Sequence, residues 1–251
     1  MKVFTSITDW QSYRAGLQQQ PLGFVPTMGA LHQGHLSLVE ASRKQDALTI
    51  VSIFINPKQF DESADFEAYP NNYQADLEKL ENAGVDAVLM PDAAQIYPDN
   101  YRFKVTESDF SRRLCGAQRP GHFDGVLTVV MRLLNLVRPD SAYFGEKDYQ
   151  QLQLIRDMTS AFFMPVNIVA CATVRETDGL AMSSRNQHLD ETSRAQAASL
   201  YMALKHSRTA SEARQVLIGK GFDVDYVEDI TNRRLAAARL GNTRLIDNVE
   251  I

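Results

Sequence analysis

Two histidines stand in the first glycine-rich segment of the sequence, and their surroundings suit phosphate chemistry. The segment runs from Pro26 to His35 (PTMGALHQGH) and follows a short apolar run. If a helix begins here, its free N–H groups and partial positive charge favour an anion, and Gly29 and Gly34 let the backbone approach a ligand closely. His32 and His35 would then face the same side of the first turn. Two other interpretations stay open: an ordinary turn with two surface histidines, or a metal site whose third ligand the sequence does not place.

A second polar cluster, Asn56–Phe60 (NPKQF), directly follows the continuous apolar run Ala47–Ile55. Gln59 is the notable residue, because a neutral amide both donates and accepts hydrogen bonds. Such a group suits the reading of a hydroxyl that lies beside a carboxylate. The alternative is an ordinary loop in which Pro57 ends a strand.

Two further clusters carry positive charge. The segment Phe144–Gln151 (FGEKDYQQ) places Lys147 at a predicted helix start, where a lysine opposes the helix dipole and is poorly placed for stability alone. Asp148 next to it fits a simple N-cap. The segment Met182–Asn186 (MSSRN) offers two hydroxyls and the Arg185 guanidinium, which suit a phosphate clamp. A solvated linker is the alternative for this last segment.

Several familiar catalytic motifs are missing from the sequence. It contains no Gly-x4-Gly-Lys-Ser/Thr segment, and no Gly-x-Gly-x-x-Gly segment follows the first predicted strand. These absences argue against a P-loop enzyme and a dinucleotide oxidoreductase. Gly-x-Ser-x-Gly and His-Glu-x-x-His are absent too.

The elements that would position these clusters alternate between strand and helix. Strands are predicted at Leu22–Val25, Ala47–Ile55, Ala87–Met90, Ala142–Phe144 and Val166–Val174, and helices at Gly34–Lys44, Tyr73–Asn82, Gly125–Val137 and Asp148–Phe163. This alternation predicts an α/β fold, a parallel sheet flanked by helices. Ligands bind outside the carboxyl ends of such strands, and all four clusters follow predicted strands.

A smaller α+β domain is predicted from about residue 177. Helices near Glu191–His206 and Ser211–Lys220 precede extended pieces at Asp225–Ile230 and Arg244–Val249. A chain of 251 residues with 44% hydrophobic composition supports one large domain with a smaller companion.

Composition and charge favour a soluble cytoplasmic protein. A net charge of -5 and a pI near 5.6 argue against a broad nucleic-acid surface. The longest apolar stretch, Gly125–Val137, is too short to span a membrane and is broken by Arg132. Cys115 and Cys171 are read as reduced core thiols, and the N-terminal residues do not resemble a secretory signal.

The clusters together resemble those of the pantothenate synthetases, or pantoate–β-alanine ligases, a family of the His-x-Gly-His nucleotidyltransferase superfamily. The resemblance rests on five segments in the family's order and spacing, and more loosely on Gly241–Asn248 (GNTRLIDN): Pro26–His35, Asn56–Phe60, Arg119–Val126 (RPGHFDGV), Phe144–Gln151 and Met182–Asn186. His-x-Gly-His alone is weakly specific, whereas the five segments together are highly specific.

The resemblance implies a reaction and an architecture. ATP, (R)-pantoate and β-alanine would give pantothenate, AMP and diphosphate with Mg2+, through a pantoyl-adenylate intermediate. A Rossmann-like domain over residues 1–176 would bind nucleotide and pantoate, and a smaller lid domain would span residues 177–251. The implied assembly is a homodimer, and charge and hydropathy predict no nucleic-acid or membrane partner.

The resemblance also implies roles for individual residues, while the metal ligands stay unknown. The implied catalytic residues are His35, His32, Lys147 and Arg185. ATP would be bound by Met28, Gly29, Ala30, Leu31, His32, Gln33, Gly34, His35, Gly145, Glu146, Lys147, Asp148, Val174, Met182, Ser183, Ser184 and Arg185. Pantoate and β-alanine would be bound by Gln59, Gln151, Pro26, Met28, Val129 and Val130.

Three positions stand apart within this resemblance. Asp61 and Asn71 stand where the family usually has glycine and arginine, and Asp76 lies where some relatives contact magnesium.

Two other functions remain as alternatives. A nucleotidyltransferase that releases a nucleotide product would lack the Gln59 and Gln151 pair. A catalytically silent nucleotide-binding module would not require both histidines, the lysine and the arginine.

Overall fold

Contacts divide the chain into two compact units. The computed structural model describes residues 1–17, 20–61, 66–67 and 69–251. The unit called here the sheet unit covers Met1–Leu31, His35–Gly145 and Gln150–Cys171, and the C-terminal unit covers His32–Gly34, Glu146–Tyr149 and Ala172–Ile251. The division into a binding domain and a lid at residue 177 stays a prediction.

The sheet unit contains a six-stranded parallel sheet, as the strand–helix alternation predicted. In the order β1-β4-β3-β2-β5-β6, its strands are numbered along the chain as β1 Lys2–Phe4, β2 Leu22–Thr27, β3 Leu48–Ile53, β4 Ala87–Leu89, β5 Ser141–Gly145 and β6 Asn167–Cys171. Strands β2 and β3 are buried along nearly their whole length. Their continuous apolar sequences follow from this burial, because helices cover both faces of a parallel sheet.

The helices of this unit are α1 Ile7–Gly16, α2 Gln33–Gln45, α3 Tyr73–Asn82, α4 Ala93–Ile96, α5 Cys115–Gln118, α6 His122–Val137 and α7 Tyr149–Ala161. Helix α6 is deeply embedded: ten of its sixteen residues are buried, in keeping with the broad apolar face of its sequence. It begins three residues earlier than the predicted Gly125 start. Both cysteines are free thiols, as predicted: Cys115 is buried, and Cys171 is half-buried and packs against the margin of the core.

The strand order reverses between β2 and β5. From β2 the chain builds outward through β3 and β4, and it then returns to place β5 on the other side of β2. The registers Gly23↔Ser141 and Phe24↔Ala142 pair these two strands directly. A crevice at such a switch point is the usual ligand site of an open parallel sheet, and the strands here end at Thr27 and Gly145.

The C-terminal unit combines helices with an antiparallel sheet, which confirms the predicted α+β class. Its helices are α8 Glu191–Ala197, α9 Ser199–His206 and α10 Ala210–Gly219, and its strands β7 Asp223–Ile230, β8 Arg233–Leu240 and β9 Thr243–Glu250 pair in chain order. The single helix predicted over 191–206 is two helices, and β8 was not predicted. Helices and sheet enclose a common apolar core that includes Leu200, Leu204, Leu217 and Leu245.

Two consecutive arginines are buried in strand β8. The Arg234 side chain is 2% exposed; it binds the Asp229 carboxylate (2.7 and 3.0 Å) and donates to the Leu204 and Ser207 carbonyls at the end of α9. A guanidinium suits this position because its five donors match a carboxylate and unpaired helix-end carbonyls at once.

Among the helices of the described residues, none combines the length and the apolar character that crossing a membrane requires.

Candidate active site

The turn that follows strand β2 has a backbone shape that few side chains adopt. Gly29 and Ala30 have φ values of +84° and +51°, in the left-handed region that favours glycine. Thr27 donates from its hydroxyl to the Ser52 carbonyl (2.7 Å) and accepts from the Gly29 N–H (3.2 Å). A Cβ atom at Gly29 would lie 3.1 Å from a carboxylate oxygen of Asp76. A side chain here would therefore strain the backbone and crowd that carboxylate.

A buried carboxylate holds this turn in place. Asp76 is 1% exposed and accepts from the N–H groups of Ala30 (2.7 Å) and Leu31 (2.8 Å). The Lys79 ammonium lies 3.8 Å from Asp76 and donates to the Leu31 carbonyl at 2.7 Å. Each Asp76 oxygen accepts a backbone hydrogen bond, so its evident task is to fix the turn.

His32 lies one residue before helix α2, outside the first turn in which the spacing had placed it. Its Nδ1 atom accepts from the Gly34 N–H at 3.1 Å. Because a backbone N–H can only donate, a neutral His32 ring carries its proton on Nε2. His35 is half-buried in the first turn of α2, and Gln33 is exposed. His32 belongs to the C-terminal unit and His35 to the sheet unit.

Gln59 lies in a short 3-10 turn, Pro57–Gln59, that follows strand β3. Asn56 caps this turn by accepting from the Lys58 N–H (3.1 Å), and its amide donates to Gln59 Oε1 (2.9 Å) and to the Gly125 carbonyl (3.2 Å). Because Gln59 Oε1 already accepts from Asn56, the Gln59 NH2 group is the end of the amide that this contact leaves available. If Gln59 binds substrate as predicted, the geometry favours a role as hydrogen-bond donor.

Tyr97 fixes the orientation of Asn56 in turn. Its hydroxyl is 2.6 Å from Asn56 Oδ1. Burial raises the pKa of Tyr97, so the hydroxyl stays protonated and donates. With Oδ1 engaged by this hydroxyl, the Asn56 NH2 group must point towards Gln59. Tyr97 and Asn56 thus set which end of the Gln59 amide is available.

Arg119 and His122 bind the backbone of the same turn. The Gln59 carbonyl accepts from Arg119 (3.1 Å) and is 2.8 Å from His122 Nδ1. The guanidinium of Arg119 also forms a 2.5 Å ion pair with Asp61. The segment Arg119–Val126 therefore supports the Gln59 turn, a task that nothing in the sequence alone could assign.

Gln150 and Gln151 have different surroundings at the start of α7. Gln150 is buried; its amide donates to the Phe110 (2.7 Å) and Arg113 (2.8 Å) carbonyls and accepts from the Cys115 N–H (3.1 Å). Gln151 is half-buried. Of the two glutamines, Gln150 is thus committed to the fold, which is consistent with Gln151 as the predicted substrate residue.

The predicted apolar contacts with substrate lie on two packed elements of the sheet unit. Pro26 and Met28 are half-buried at the end of β2, and Val129 and Val130 are each 6% exposed on α6. Helix α6 packs against β2 and against the Gln59 turn. The helix that carries Val129 and Val130 therefore contacts both the strand of Pro26 and the turn of Gln59.

The C-terminal unit contains a cleft of about 370 Å³ that brings together four predicted ATP-binding residues: His32, Gln33, Met182 and Ser183. Its lining also includes residues that were not predicted: Glu176, Asn186, Gln187 and Arg194. The cleft volume falls in the range of small-molecule sites.

An ionic network supports the loop on one side of this cleft. Glu176 accepts from the Asn186 amide (2.9 Å) and from Arg194. Arg194 also pairs with Asp178 at 2.6 Å, and this hydrogen bond holds the pKa of Asp178 below its usual range. The Asn186 amide donates to the Ala181 carbonyl as well. The network ties the residues that flank the Met182–Arg185 segment together.

The remaining predicted residues of this segment are held by local hydrogen bonds. The Met182 N–H donates to the Val174 carbonyl (3.0 Å), and Ser183 accepts from the Arg185 N–H (3.3 Å) to cap a 3-10 turn. Ser184 is buried, and Arg185 is half-buried. Gly145 ends β5, and Glu146–Asp148 form a 3-10 turn in which the Lys147 ammonium is 3.8 Å from Asp148.

Comparison with known proteins decides the family. The family model described as "Pantoate-beta-alanine ligase" matches residues 2–250. The chain belongs to the pantoate–β-alanine ligase family. It is 52% identical to a pantothenate synthetase of Bdellovibrio bacteriovorus over all of this chain and 99% of that protein. It is similar to a Francisella tularensis pantoate–β-alanine ligase, solved in complex with "Beta-gamma ATP and Beta-alanine", at a TM-score of 0.95 and 38% identity, with 100% of this chain and 97% of that one covered.

A second solved member of the pantoate–β-alanine ligase family, from Thermus thermophilus, matches at a TM-score of 0.92 and 39% identity over 100% of this chain and 99% of that one. Asp61 stands where the family usually has glycine. In this chain its carboxylate forms an ion pair with Arg119, which gives the aspartate a structural role. Asn71 is exposed, and nothing in the structure explains its departure.

Replacement of Gly125 by alanine should displace the turn that carries Gln59, the predicted pantoate-binding residue of this pantoate–β-alanine ligase family member. A Cβ atom there would lie 2.1 Å from the Lys58 carbonyl oxygen and 2.8 Å from the Gln59 nitrogen. Backbone must therefore move, at a cost of about 1–3 kcal/mol. We expect Gly125→Ala to lower kcat/KM for pantoate at least tenfold, roughly the factor that 1.4 kcal/mol gives.

Steady-state kinetics with varied pantoate and a thermal melt would check this expectation. Gly219→Ala is the matched control, because Gly219 is also helical and has no neighbour within 4 Å of an added Cβ. Equal kinetics for the two variants would show that the Gln59 turn tolerates displacement.

Proposed function

We propose that this chain condenses (R)-pantoate with β-alanine, using ATP, to give pantothenate, AMP and diphosphate through pantoyl adenylate. The observation that carries most weight is the match to the pantoate–β-alanine ligase family over residues 2–250. The turn at Gly29 and Ala30 and the turn at Gln59 follow two adjacent strands of one sheet, β2 and β3, which suits joint binding of nucleotide and acid. A nucleotidyltransferase that releases a nucleotide product gains no support from these relatives.

In the first step the pantoate carboxylate attacks the α-phosphorus of ATP, and the bond to diphosphate breaks. Negative charge grows on the phosphoryl oxygens and on the leaving diphosphate, so catalysis depends on positioning and electrostatics. His35 and the Nε2–H of His32 donate to the phosphoryl oxygens. Lys147 and Arg185 offset the charge of the diphosphate.

Nucleotide binding draws on the remaining segments of the predicted ATP set. The N-terminus of α2 offers N–H groups to a phosphate, and Ser183 and Ser184 offer hydroxyls. The cleft beside Met182 and Gln33 takes part of the nucleotide. These assignments follow the chemistry of the groups and the resemblance to the family.

In the second step the amine of β-alanine attacks the carbonyl carbon of the mixed anhydride. An amide bond forms, the bond to the phosphate oxygen breaks, and AMP leaves. The proposal gives the Ser183 and Ser184 hydroxyls to the nucleotide and assigns no residue as a covalent nucleophile, so the adenylate itself carries the acyl group.

Magnesium enters this proposal as a companion of ATP. Among the described residues, no group of three or more His, Cys, Asp or Glu side chains is arranged to hold a metal ion. Mg2+ commonly keeps several waters and binds substrate phosphates with few protein ligands. A chain whose described residues offer few metal ligands of their own suits this mode. A bound Mg2+ ion would offset part of the phosphate charge, and Lys147 and Arg185 would offset the rest.

Diphosphate exchange tests the proposed function. Labelled diphosphate should enter ATP in the presence of pantoate and the absence of β-alanine, because the first step is reversible and needs no amine. Exchange without pantoate, or none at all under conditions where pantothenate forms, would contradict a pantoyl-adenylate intermediate. A homodimer, a cytoplasmic location and the absence of a nucleic-acid partner stay predictions.

Selectivity for the pantoate hydroxyls should depend on Gln59 and Gln151. An unmet hydrogen bond in a site that reads a hydroxyl costs about 1–3 kcal/mol, so a deoxy analogue should lose at least about tenfold in kcat/KM. Gln59→Ala should largely erase the preference for pantoate over the deoxy analogue. Gln59→Glu should erase it as well, because the carboxylate lacks the NH2 group that Gln59 has available.

Kinetics of both substrates with each variant would measure that preference. Gln151→Ala should weaken the preference too, and Gln11→Glu, an exposed change on α1, serves as the control for added charge. If the Gln59 and Gln151 variants still reject the analogue as the parent does, neither glutamine reads the hydroxyl.

A further inference from the structure

The turn that carries Lys147 is held by a residue near the end of the chain. Asn248 lies in strand β9 and is 3% exposed. Its side-chain amide donates to the carbonyls of both Glu146 (2.8 Å) and Lys147 (3.1 Å). Two neighbouring carbonyls of the turn therefore depend on a single NH2 group.

Arg233 fixes which way the Asn248 amide faces. Its guanidinium donates to Asn248 Oδ1 at 2.7 Å and to the Glu146 carboxylate at 3.0 Å. It also lies 4.8 Å from the centre of the Tyr149 ring. Since Oδ1 must accept from the arginine, the NH2 group of Asn248 must face the turn.

The backbone of Asn248 is fixed as well. The buried Asp247 carboxylate accepts from the Asn248 N–H (2.7 Å) and from Arg175 (2.6 and 2.9 Å). Arg175 donates in addition to the Asn248 carbonyl (3.2 Å) and lies 3.9 Å from the Tyr201 ring centre. The position of the Asn248 side chain is thus determined at both ends.

We propose that Asn248 is a positioning residue for Lys147 in adenylate formation. The proposal rests on the function proposed above, in which Lys147 offsets charge on the diphosphate. Asn248 has no polar atom to offer the reaction, because both carbonyl contacts and the Arg233 contact occupy its amide. It acts by fixing the backbone from which the Lys147 side chain extends, and small displacements of such a charge lower rates strongly. Only the step that expels diphosphate should depend on it.

Asn248→Asp tests this inference with almost no change in shape. The carboxylate keeps, and strengthens, the contact with Arg233, but it places an acceptor opposite the two carbonyls. We expect pantoate-dependent diphosphate exchange to slow at least about tenfold. Aminolysis of synthetic pantoyl adenylate by β-alanine should change by less than about threefold, since Lys147 has no part in it.

A double-mutant cycle separates positioning from general stability. If Asn248 acts through Lys147, exchange by Lys147→Ala/Asn248→Asp should be within about threefold of Lys147→Ala alone. Fold-changes that multiply, or equal slowing of exchange and aminolysis, would overturn the inference. Glu250→Gln is the matched control: Glu250 also contacts Arg233 (3.1 Å) in β9 but is exposed and does not contact the turn.

Loss of folding and loss of the proposed function are recognised separately. If Asn248→Asp melts below the assay temperature, Asn248→Ser replaces it, because a single hydroxyl donor cannot bind both carbonyls and the exchange rate should fall below that of the parent. A serine variant with parental exchange overturns the positioning role. Absence of exchange in the parent enzyme, by contrast, refutes the function itself.

Discussion

Replacement of His35 by alanine should lower turnover by roughly a hundredfold or more while ATP affinity changes much less. The reason is that a donor aimed at charge that develops in the transition state acts mainly on kcat. Loss of one such donor typically costs about 3–4 kcal/mol. The half-buried position of His35 in the first turn of α2 adds the field of the helix N-terminus to its own hydrogen bond.

Two measurements on His35→Ala are needed: the rate of diphosphate exchange at saturating ATP and the ATP dissociation constant by calorimetry. His35→Asn keeps a donor of shorter reach and should recover part of the loss. His206→Ala, an exposed change at the end of α9, should behave as the parent. Normal turnover with only a raised KM for ATP would reassign His35 to ground-state binding.

Asp76→Asn should damage both stability and activity although it changes one atom. Asparagine can accept from only one of the two N–H groups that Asp76 now binds, and its own NH2 group would face the other. A lost charge-assisted hydrogen bond costs about 1.5–3 kcal/mol. The turn before α2 would shift, and a displacement of about 1 Å at a reacting centre can cost roughly a hundredfold in rate.

Chemical unfolding and diphosphate exchange would measure the two effects of Asp76→Asn. Asp92→Asn is the matched control: Asp92 caps α4 by accepting from the Gln95 N–H, and asparagine caps a helix equally well. We therefore expect a change near zero for the control. Unaltered exchange in Asp76→Asn would mean that the strand and helix alone fix the turn.

The parallel sheet was predictable because its strands are continuous apolar runs. Ala47–Ile55 and Leu22–Val25 read as buried strands, and both are. Strand β1 and helix α1 were missed: the strand has three residues, and the helix has only Trp10 buried among its residues. Short elements that bury one side chain leave too weak a periodic signal.

Strand β8 was missed for a different reason. Its sequence, RRLAAARL, is rich in residues with high helix propensity. Pairing with β7 and β9 on both sides overrides that preference, and specific partners satisfy the two buried arginines. Helix α8 likewise ends at Ala197 without a glycine or proline to mark it.

The sequence motifs predicted which residues bind substrates, but not which residues hold those side chains in place. The resemblance assigned roles to Gln59 and Lys147, whereas Asn56 and Asn248, which lie in the same set of segments, received no role although they bind the Gln59 amide and the Lys147 carbonyl. What distinguishes them is burial with every polar atom engaged, which depends on partners distant in the chain. A single sequence does not carry that information, except that Asn56 before Pro57 is a weak capping signal.

The reach of Asn248 across the sequence has a consequence for synthesis of the enzyme. Its amide binds carbonyls 101 and 102 residues earlier in the chain. A nascent polypeptide that has already completed the parallel sheet would still lack this contact until residue 248 emerged from the ribosome. With the positioning role proposed for Asn248, the capacity to form the adenylate should therefore appear only after residue 248 has been synthesised. Release of stalled chains that end before and after residue 248, followed by a turnover assay, would reveal this step.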